Sequence, residues 1–210
     1  MRGRVRVGGK RHMRFRDCFE YLAAQRTDEL VVTAAGHTSE MWWAVTGDAE
    51  RTFYLEASMG MTSMMAAGIA LGVADTPVWV FSGDGGFCMN PGMLMVERRL
   101  GLPNLTHFVV SNRCYGSTSE VPVPNAGVTD YAAVARGFGL ERVFQFDALD
   151  DLKRGFDRAV RARGYSFVVL EVEPAGARLE EPPTEGPEMK YRFGRYVERT
   201  AWVKVFDFQG

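Results

Sequence analysis

From residue 14 onward the apolar positions alternate between two periods. "RFRDCFEYLAAQ" sets Phe15, Cys18, Phe19 and Leu22 at helical spacing, and "ELVVTAAG" follows as a short strand ending at Gly36. "TSEMWWAV" predicts a helix, "TFYLEA" a strand, and "SMGMTSMMAAGIALG" a helix with Ser58 as its cap. "PVWVFSG" is the next strand. Asn90 and Pro91 make a cap and first-turn pair for a helix closing at Gly101, and "LTHFVVSN" is the strand after it. The second half repeats the alternation with helix "DYAAVARGFG", strand "RVFQF", amphipathic helix "DALDDLKRGFDRAVRARG" and strand "SFVVLEVE". Continuous apolar strands separated by helices predict an α/β fold, a three-layer α/β/α arrangement on a mainly parallel sheet.

Three segments emerge. Residues 1–13 read as a solvated basic arm, in which Met13 is a second possible start. Residues 14–175 carry the α/β pattern. Residues 176–210 begin as a Pro/Glu/Gly linker and end aromatic and basic, with too little apolar material for a core of their own, so they are expected to dock on this domain or on a partner.

Composition removes several classes. A 210-residue chain that is 46% hydrophobic and 12% aromatic is globular and long enough for one sizeable domain. Its 25 Lys and Arg against 26 Asp and Glu leave a net charge of -1, so no global field favours nucleic acid. Cys18, Cys88 and Cys114 form neither a metal spacing nor a disulfide framework, which points to a reducing cytoplasm. No apolar run reaches the roughly 18 residues of a membrane span, and the N-terminus lacks the apolar core of a signal peptide.

Open parallel sheets bind ligands where their strands end. Four strand ends here are unusual: "GHTS" at 36–39, "SMG" at 58–60, "GDGG" at 83–86 and "SNRCYG" at 111–116. Glycines around Asp84 let main-chain N–H groups approach an anion while the carboxylate favours a cation, a pairing that suits a metal-bound phosphate. Magnesium takes oxygen ligands, and Asn112 offers a neutral one. Two other readings stand beside this one. Asp84 is also an ordinary turn residue, and a nicotinamide-binding turn is the other alternative for "GDGG", against which stand the missing Gly-x-Gly-x-x-Gly run and an interior strand with no fitting acidic residue on the following one.

"GDG" coupled through one helix and one strand to the Asn of "NRCYG" resembles the signature of thiamine diphosphate enzymes. "GHTSEMW", "FYLEASMGMTSMMAAGIALG" and "NRCYGST" extend the similarity, over residues 14–175, to the diphosphate-binding domain of the sulfopyruvate and phosphonopyruvate decarboxylases. The resemblance implies that Asp84, the Asn112 side chain and the main-chain carbonyl of Cys114 hold Mg²⁺. It implies that Gly36, His37, Thr38, Gly83, Gly85 and Gly86 meet the diphosphate, with Tyr115, Gly116 and Ser117 completing that set. Ser58, Met59, Gly60 and Met61 fall where the family cradles the cofactor's rings, and Met59 matches the apolar residue that props the cofactor into its bent, reactive shape. His37 is the candidate for catalysis, through phosphate or through substrate. Ser117, Thr118 and Glu120, in the long loop from Gly116 to Asp130, are open to substrate contact or to plain solvation. Two departures are visible: Ser111 replaces the first of the family's two consecutive asparagines, and Gly86 a more usual Ser or Ala.

The family also needs a glutamate from a pyrimidine-binding domain. The resemblance therefore implies a separate partner subunit that supplies it, in an α₂β₂ assembly, with "SMGMTSMM", Trp42 and Trp43 contributing to the contact. By spacing alone Met61, Met64, Met65, Met93 and Met95 read as core filler, Cys88 as a small core residue and His107 as a structural histidine. The implied reaction is decarboxylation of a small, acidic 2-oxo acid to an aldehyde. Carboligation to an acyloin or acetohydroxy acid, and a non-catalytic cofactor-binding module, are the alternatives.

Overall fold

The sheet is built from strands whose alternate residues are buried on opposite faces. The computed structural model describes residues 12–56, 58–118, 120–176 and 179–206, so residues 1–11 of the expected basic arm lie outside the described residues. The main strands are β1 (Leu30–Ala34), β2 (Thr52–Leu55), β3 (Val78–Gly83), β4 (Leu105–Ser111), β7 (Val143–Phe146) and β8 (Ser166–Glu171), while β5 (Cys114–Tyr115) and β6 (Val121–Pro122) form a small separate hairpin. All neighbours in the six-stranded sheet are parallel, in the order β2-β1-β3-β4-β8-β7. The chain runs outward from β1 to β2 and then crosses back to β3 on the other side of β1. The crevice where the order reverses therefore lies at the ends of β1 and β3.

Helices α1 (Phe15–Gln25), α2 (His37–Thr46) and α7 (Leu149–Phe156, continued by a π-helical turn at Asp157–Arg161) contribute to one apolar layer. In it Phe81 stacks on Phe108 at 4.9 Å and Trp42 meets Phe81 at 5.0 Å. Helices α3 (Thr62–Gly72), α4 (Asp84–Met89), α5 (Met93–Leu100) and α6 (Tyr131–Gly137) cover the other face, where Val78, Val80 and Val109 point. Adjacent β3 residues Trp79 and Val80 thus enter different cores, which is the three-layer arrangement expected from doubly apolar strands. The tail forms helix α8 (Gly186–Ala201), which buries Met189, Phe193 and Val197 against this chain and sets Phe193 edge-on to Phe53 of β2 at 5.6 Å. No helix among the described residues is long and apolar enough to cross a membrane.

Local expectations needed correction. Met13 is not part of a solvated arm: it is buried, bridges Val172, and its carbonyl accepts from Glu173 N at 2.9 Å. Ser58 does not cap a helix. It takes a left-handed φ of 66° in a turn closed by Met61 N–H to Ser58 O, and α3 begins only at Thr62. The helix expected after Asn90 forms as α5 and closes at Gly101, but it starts at Met93, and a further short helix, α4, opens at Asp84 itself; Asn90 and Pro91 lend their carbonyls to the N–H groups of Met93 and Leu94. Met93 is buried, but Met61, Met65 and Met95 are 44%, 36% and 66% exposed, so the methionines are not uniformly core. Trp42 is fully enclosed with its indole N–H on Thr52 Oγ1, and so is not available to a partner. Cys88 is half-buried, with its sulfur 3.7 Å from Tyr131 Oη.

One buried polar chain crosses the sheet's second face. His107 Nδ1 lies 2.8 Å from Glu97 Oε2 and His107 Nε2 lies 2.9 Å from Ser82 Oγ, while Tyr165 also donates to Glu97. Burial pushes the Glu97 carboxyl up, yet the charge and hydrogen bond of His107, with Tyr165, outweigh it, and the net pKa is lowered. A depressed carboxylate pKa stabilises the fold above its unfolded value and loses that contribution as pH falls through the folded value. Glu97→Ala leaves the buried His107 and the half-buried Tyr165 without their acceptor, and is expected to lower stability by about 3–5 kcal/mol in urea unfolding at pH 7. The penalty should shrink in acid, and a loss under 1 kcal/mol in that urea experiment, within the range of ordinary surface changes, rules out the network as a structural element.

Candidate functional site

The crevice between β1 and β3 gathers the strand ends. Asp84 follows Gly83 directly, opens α4, and is 2% exposed. Its Oδ1 accepts from Gly85 N at 2.8 Å, and its Oδ2 accepts from Arg113 N at 2.7 Å and Ser111 Oγ at 3.2 Å. Burial nevertheless dominates and raises the Asp84 pKa to about 6, against the lowering effect of those hydrogen bonds and of the Arg113 charge. The carboxylate is held by three donors and still short of compensating charge. Such a group is stabilised by a cation.

The segment after β4 wraps this carboxylate. Asn112 Oδ1 accepts from Cys114 N at 3.1 Å, and Arg113 adopts a left-handed φ of 62°. Ser111, which stands where the resemblance expects asparagine, is a direct donor to Asp84. Two glycines are required by close approach: a Cβ on Gly85 would collide with the Tyr115 ring, and one on Gly116 with the His37 imidazole and, at 3.1 Å, the Asn112 side-chain nitrogen. A Cβ added to Gly60 would lie 3.3 Å from Gly86 O, so the turn at 58–61 lies against the glycine loop. Thr38 Oγ1 faces Gly83.

His37 is the first residue of α2 and 8% exposed. Its Nδ1 is buried with no hydrogen-bond partner among the described residues, while Nε2 lies 3.8 Å from Glu40 Oε2. Burial lowers its pKa, opposed by Glu120, so the imidazole is neutral at pH 7 and offers an unused nitrogen. It opens on a cleft of about 970 Å³ whose walls include Gly36, Gly116, Ser117, Thr118 and Glu120, and which the tail closes with Glu181 and Pro182. Glu40 and Glu56 complete an acidic lining that contains no Lys or Arg among the described residues. Burial raises the Glu56 pKa, and the Glu181 charge adds to this while a Ser39 hydrogen bond opposes it.

Of the residues expected at the site, Gly36, His37, Thr38, Gly83, Asp84, Gly85, Gly86, Asn112, Tyr115, Gly116 and Ser117 converge on this crevice through these contacts. Ser58, Met59 and Met61 are exposed, Met59 by 50%, in the turn that lies against the glycine loop. Cys114 is buried and its thiol is pushed up to about 11 by burial, so it is unreactive. Among the described residues no cluster of three or more His, Cys, Asp or Glu is arranged for a metal. Asp84 brings a carboxylate and Asn112 an amide oxygen that also accepts from Cys114 N, both hard oxygen donors of the kind magnesium takes. Arg113 and Glu171 were not foreseen, and only the position of Arg113 between Asn112 and Cys114 hinted at a role.

Residues 34–171 match the family described as thiamine pyrophosphate enzyme, C-terminal TPP binding domain. The chain is 32% identical over 181 residues to sulfopyruvate decarboxylase subunit beta of Methanothermobacter thermautotrophicus, covering 86% of this chain and 94% of that protein. It is 28% identical over 175 residues to the subunit of the same name from Methanocaldococcus jannaschii, covering 82% and 90%. A sulfopyruvate decarboxylase of Methanosarcina acetivorans is 28% identical, with 88% of this chain covering 46% of that one. Among solved structures, a thiamin diphosphate-dependent enzyme from Mycobacterium smegmatis superposes with a TM-score of 0.64 at 24% identity, over 77% of this chain and 32% of that one. Benzoylformate decarboxylase from Polynucleobacter necessarius gives 0.65 at 19%, over 86% and 36%. The chain spans about a third of these solved chains, which share its fold.

Because the folded pKa of Asp84 lies above its unfolded value, the cofactor-free fold binds a proton more tightly than the unfolded chain and loses stability as pH rises from about 4 through about 6. Asp84→Asn removes this titration. Its stability relative to the unmodified chain should improve by up to about 3 kcal/mol between pH 4 and pH 8 in parallel urea titrations. A difference that stays flat across that range contradicts the burial of an uncompensated carboxylate.

Proposed function

The chain belongs to the thiamine pyrophosphate enzymes through their C-terminal cofactor-binding domain, and on that premise we propose that it is the diphosphate- and magnesium-binding subunit of a two-subunit lyase that decarboxylates a small 2-oxo acid. The observation that carries this reading is the 2.7 Å bond from Arg113 N to Asp84 Oδ2, which ties the "GDG" turn at the end of β3 to the "NRCYG" segment after β4. Residues 14–175 are the cofactor-binding domain. Asp84, the Asn112 side chain and the Cys114 carbonyl hold Mg²⁺. His37 and Thr38, with the glycines at 36, 83, 85, 86 and 116 and with Tyr115 and Ser117, hold the diphosphate, and the turn from Ser58 to Met61 receives the rings, propped by Met59. The bound cofactor supplies the electron sink for loss of CO₂.

This chain's own residues bind, orient and neutralise. The neutral His37 gives a hydrogen bond through its unused Nδ1 without bringing a second positive charge. Asp84 must be ionised to hold a cation, and a bound divalent ion reverses the upward shift that burial imposes. A cleft lined by Glu40, Glu56 and Glu120 does not attract an acidic substrate by itself. Cations that recognise such a substrate come from the partner, together with the glutamate that activates the cofactor.

Two facts support a partner. The chain covers nearly the whole of relatives named as beta subunits, and less than half of one named without a subunit. Met59, Met61, Met65 and Met89 are also 36–57% exposed beside the site, an apolar rim suited to a partner's surface. The assembly is α₂β₂ and works in the cytoplasm, where the free thiols of Cys18, Cys88 and Cys114 persist.

Co-expression with a pyrimidine-domain subunit, followed by a screen of 2-oxo acids with thiamine diphosphate and Mg²⁺, should yield CO₂ and aldehyde from the complex and none from this chain alone. Turnover by the single chain refutes the split, and a complex inert toward every 2-oxo acid refutes the decarboxylase. Met61→Asp combined with Met65→Asp should abolish co-purification while changing the chain's own stability by under about 1 kcal/mol, as exposed positions do. Undiminished co-purification places the interface elsewhere.

A further inference from the structure

We propose that Arg113 is a positioning residue that sets the geometry of the metal loop by anchoring it to the end of β8 and to the loop before α6. This rests on the reading of Asp84, Asn112 and Cys114 as the magnesium site. Arg113 lies between two of those three groups, and its backbone N–H donates to the third. Its φ of 62° is in the left-handed region, which a residue with a side chain occupies only when its surroundings hold it there.

The holding contacts are in its side chain. Nε donates to Glu171 Oε2 at 3.0 Å and Nη2 donates to Glu171 Oε1, a two-pronged pair with a carboxylate that is 1% exposed. Nη1 donates to Thr129 O at 2.7 Å and to Ala126 O at 3.2 Å, and the guanidinium lies 4.9 Å from the Tyr131 ring centroid. Glu171 is the last residue of β8 and pairs in register with Ser111, itself a donor to Asp84. The Arg113 carbonyl accepts from Val123 N at 3.1 Å, which fastens the same residue to the returning arm of the β5–β6 hairpin. One side chain therefore joins β8, the 126–129 loop and α6, while its backbone joins β4 to the Asp84 turn.

The guanidinium does not line the cleft and makes four hydrogen bonds to these partners, so it acts through the backbone it positions and not on substrate. The task requires a planar fork with several donors, and a lysine ammonium keeps the charge while losing the fork. Arg113→Lys therefore separates the two roles available to a cation here. A role in neutralising Glu171 or attracting diphosphate survives the change, whereas a positioning role does not.

The test uses the full chain and measures thiamine diphosphate binding by calorimetry across a Mg²⁺ series, together with amide hydrogen exchange. Arg113→Lys should weaken the apparent Mg²⁺ affinity about 10–100-fold, the range seen when partners that orient metal ligands are lost. It should also speed exchange at residues 112–116 while β3 and β4 keep their protection. Glu171→Gln, which keeps the shape and one acceptor, should give a smaller change of the same kind. Unchanged Mg²⁺ dependence in Arg113→Lys overturns the proposal, and so does weakened binding with unaltered exchange at 112–116. Asp84→Asn is the control: if it too leaves Mg²⁺ dependence unchanged, the metal site itself is wrong and the proposal falls with it, whereas a loss in Asp84→Asn alone refutes only the role of Arg113.

Discussion

A carboxylate removed from water at the end of a central strand is costly, and the surroundings of Asp84 are organised around that cost. The parallel sheet delivers the residue to the crevice, and the first turn of α4 together with the segment after β4 brings three donors to its two oxygens. They do not fully offset the burial, because the Asp84 pKa stays raised to about 6. A site built only for stability would exchange such a group for a neutral one. Retaining it makes sense where a divalent ion completes the electrostatics, so the residual imbalance is the physical content of the cofactor-binding reading.

The rest of the architecture keeps that carboxylate and its neighbours in register. Phe81 and Phe108 stack beneath the ends of β3 and β4, and the chain from Ser82 through His107 to Glu97 fixes the other face of the same strands. Ser82 is two residues before Asp84, so the buried polar chain ends beside the turn that carries this carboxylate. Glu171 at the end of β8 holds the opposite side through Arg113. Helix α8 does its work farther away. By burying Met189, Phe193 and Val197 it covers the edge of the sheet at β2, while the linker before it brings Glu181 to the mouth of the cleft.

Much of this was legible in the residues. Doubly apolar strands separated by amphipathic helices specify a covered parallel sheet, and every strand of the six was visible as a run of β-branched and aromatic residues. The "GDG" turn and "NRCYG" were visible as strand ends too polar and too glycine-rich for a fold alone. What stayed hidden depends on tertiary placement. The exposure of Met61, Met65 and Met95 cannot be read from helical spacing, because α3 and α5 present one face to the sheet and another outward, and methionine suits either. The capping role given to Ser58 failed because the turn at 58–61 is shaped by its approach to Gly86 and Asn90. Arg113 and Glu171 are 58 positions apart, and only the adjacency of β4 and β8 brings them together.

The acidic cleft bears on how the work is divided between subunits. A diphosphate and a 2-oxo acid are both anions, yet the walls this chain supplies are rich in carboxylates, with His37 as the nitrogen base facing them. Bringing an anionic substrate to such a surface is unfavourable unless positive charge enters from outside the chain. On the proposed reading, a bound divalent ion would answer for the diphosphate by neutralising both the ligand and Asp84. Among the described residues that line the cleft, no Lys or Arg answers for the substrate's own charge. On the two-subunit reading, this half of the site fixes the cofactor and the partner reads the substrate, so the acid accepted can change without any change in the fold described here.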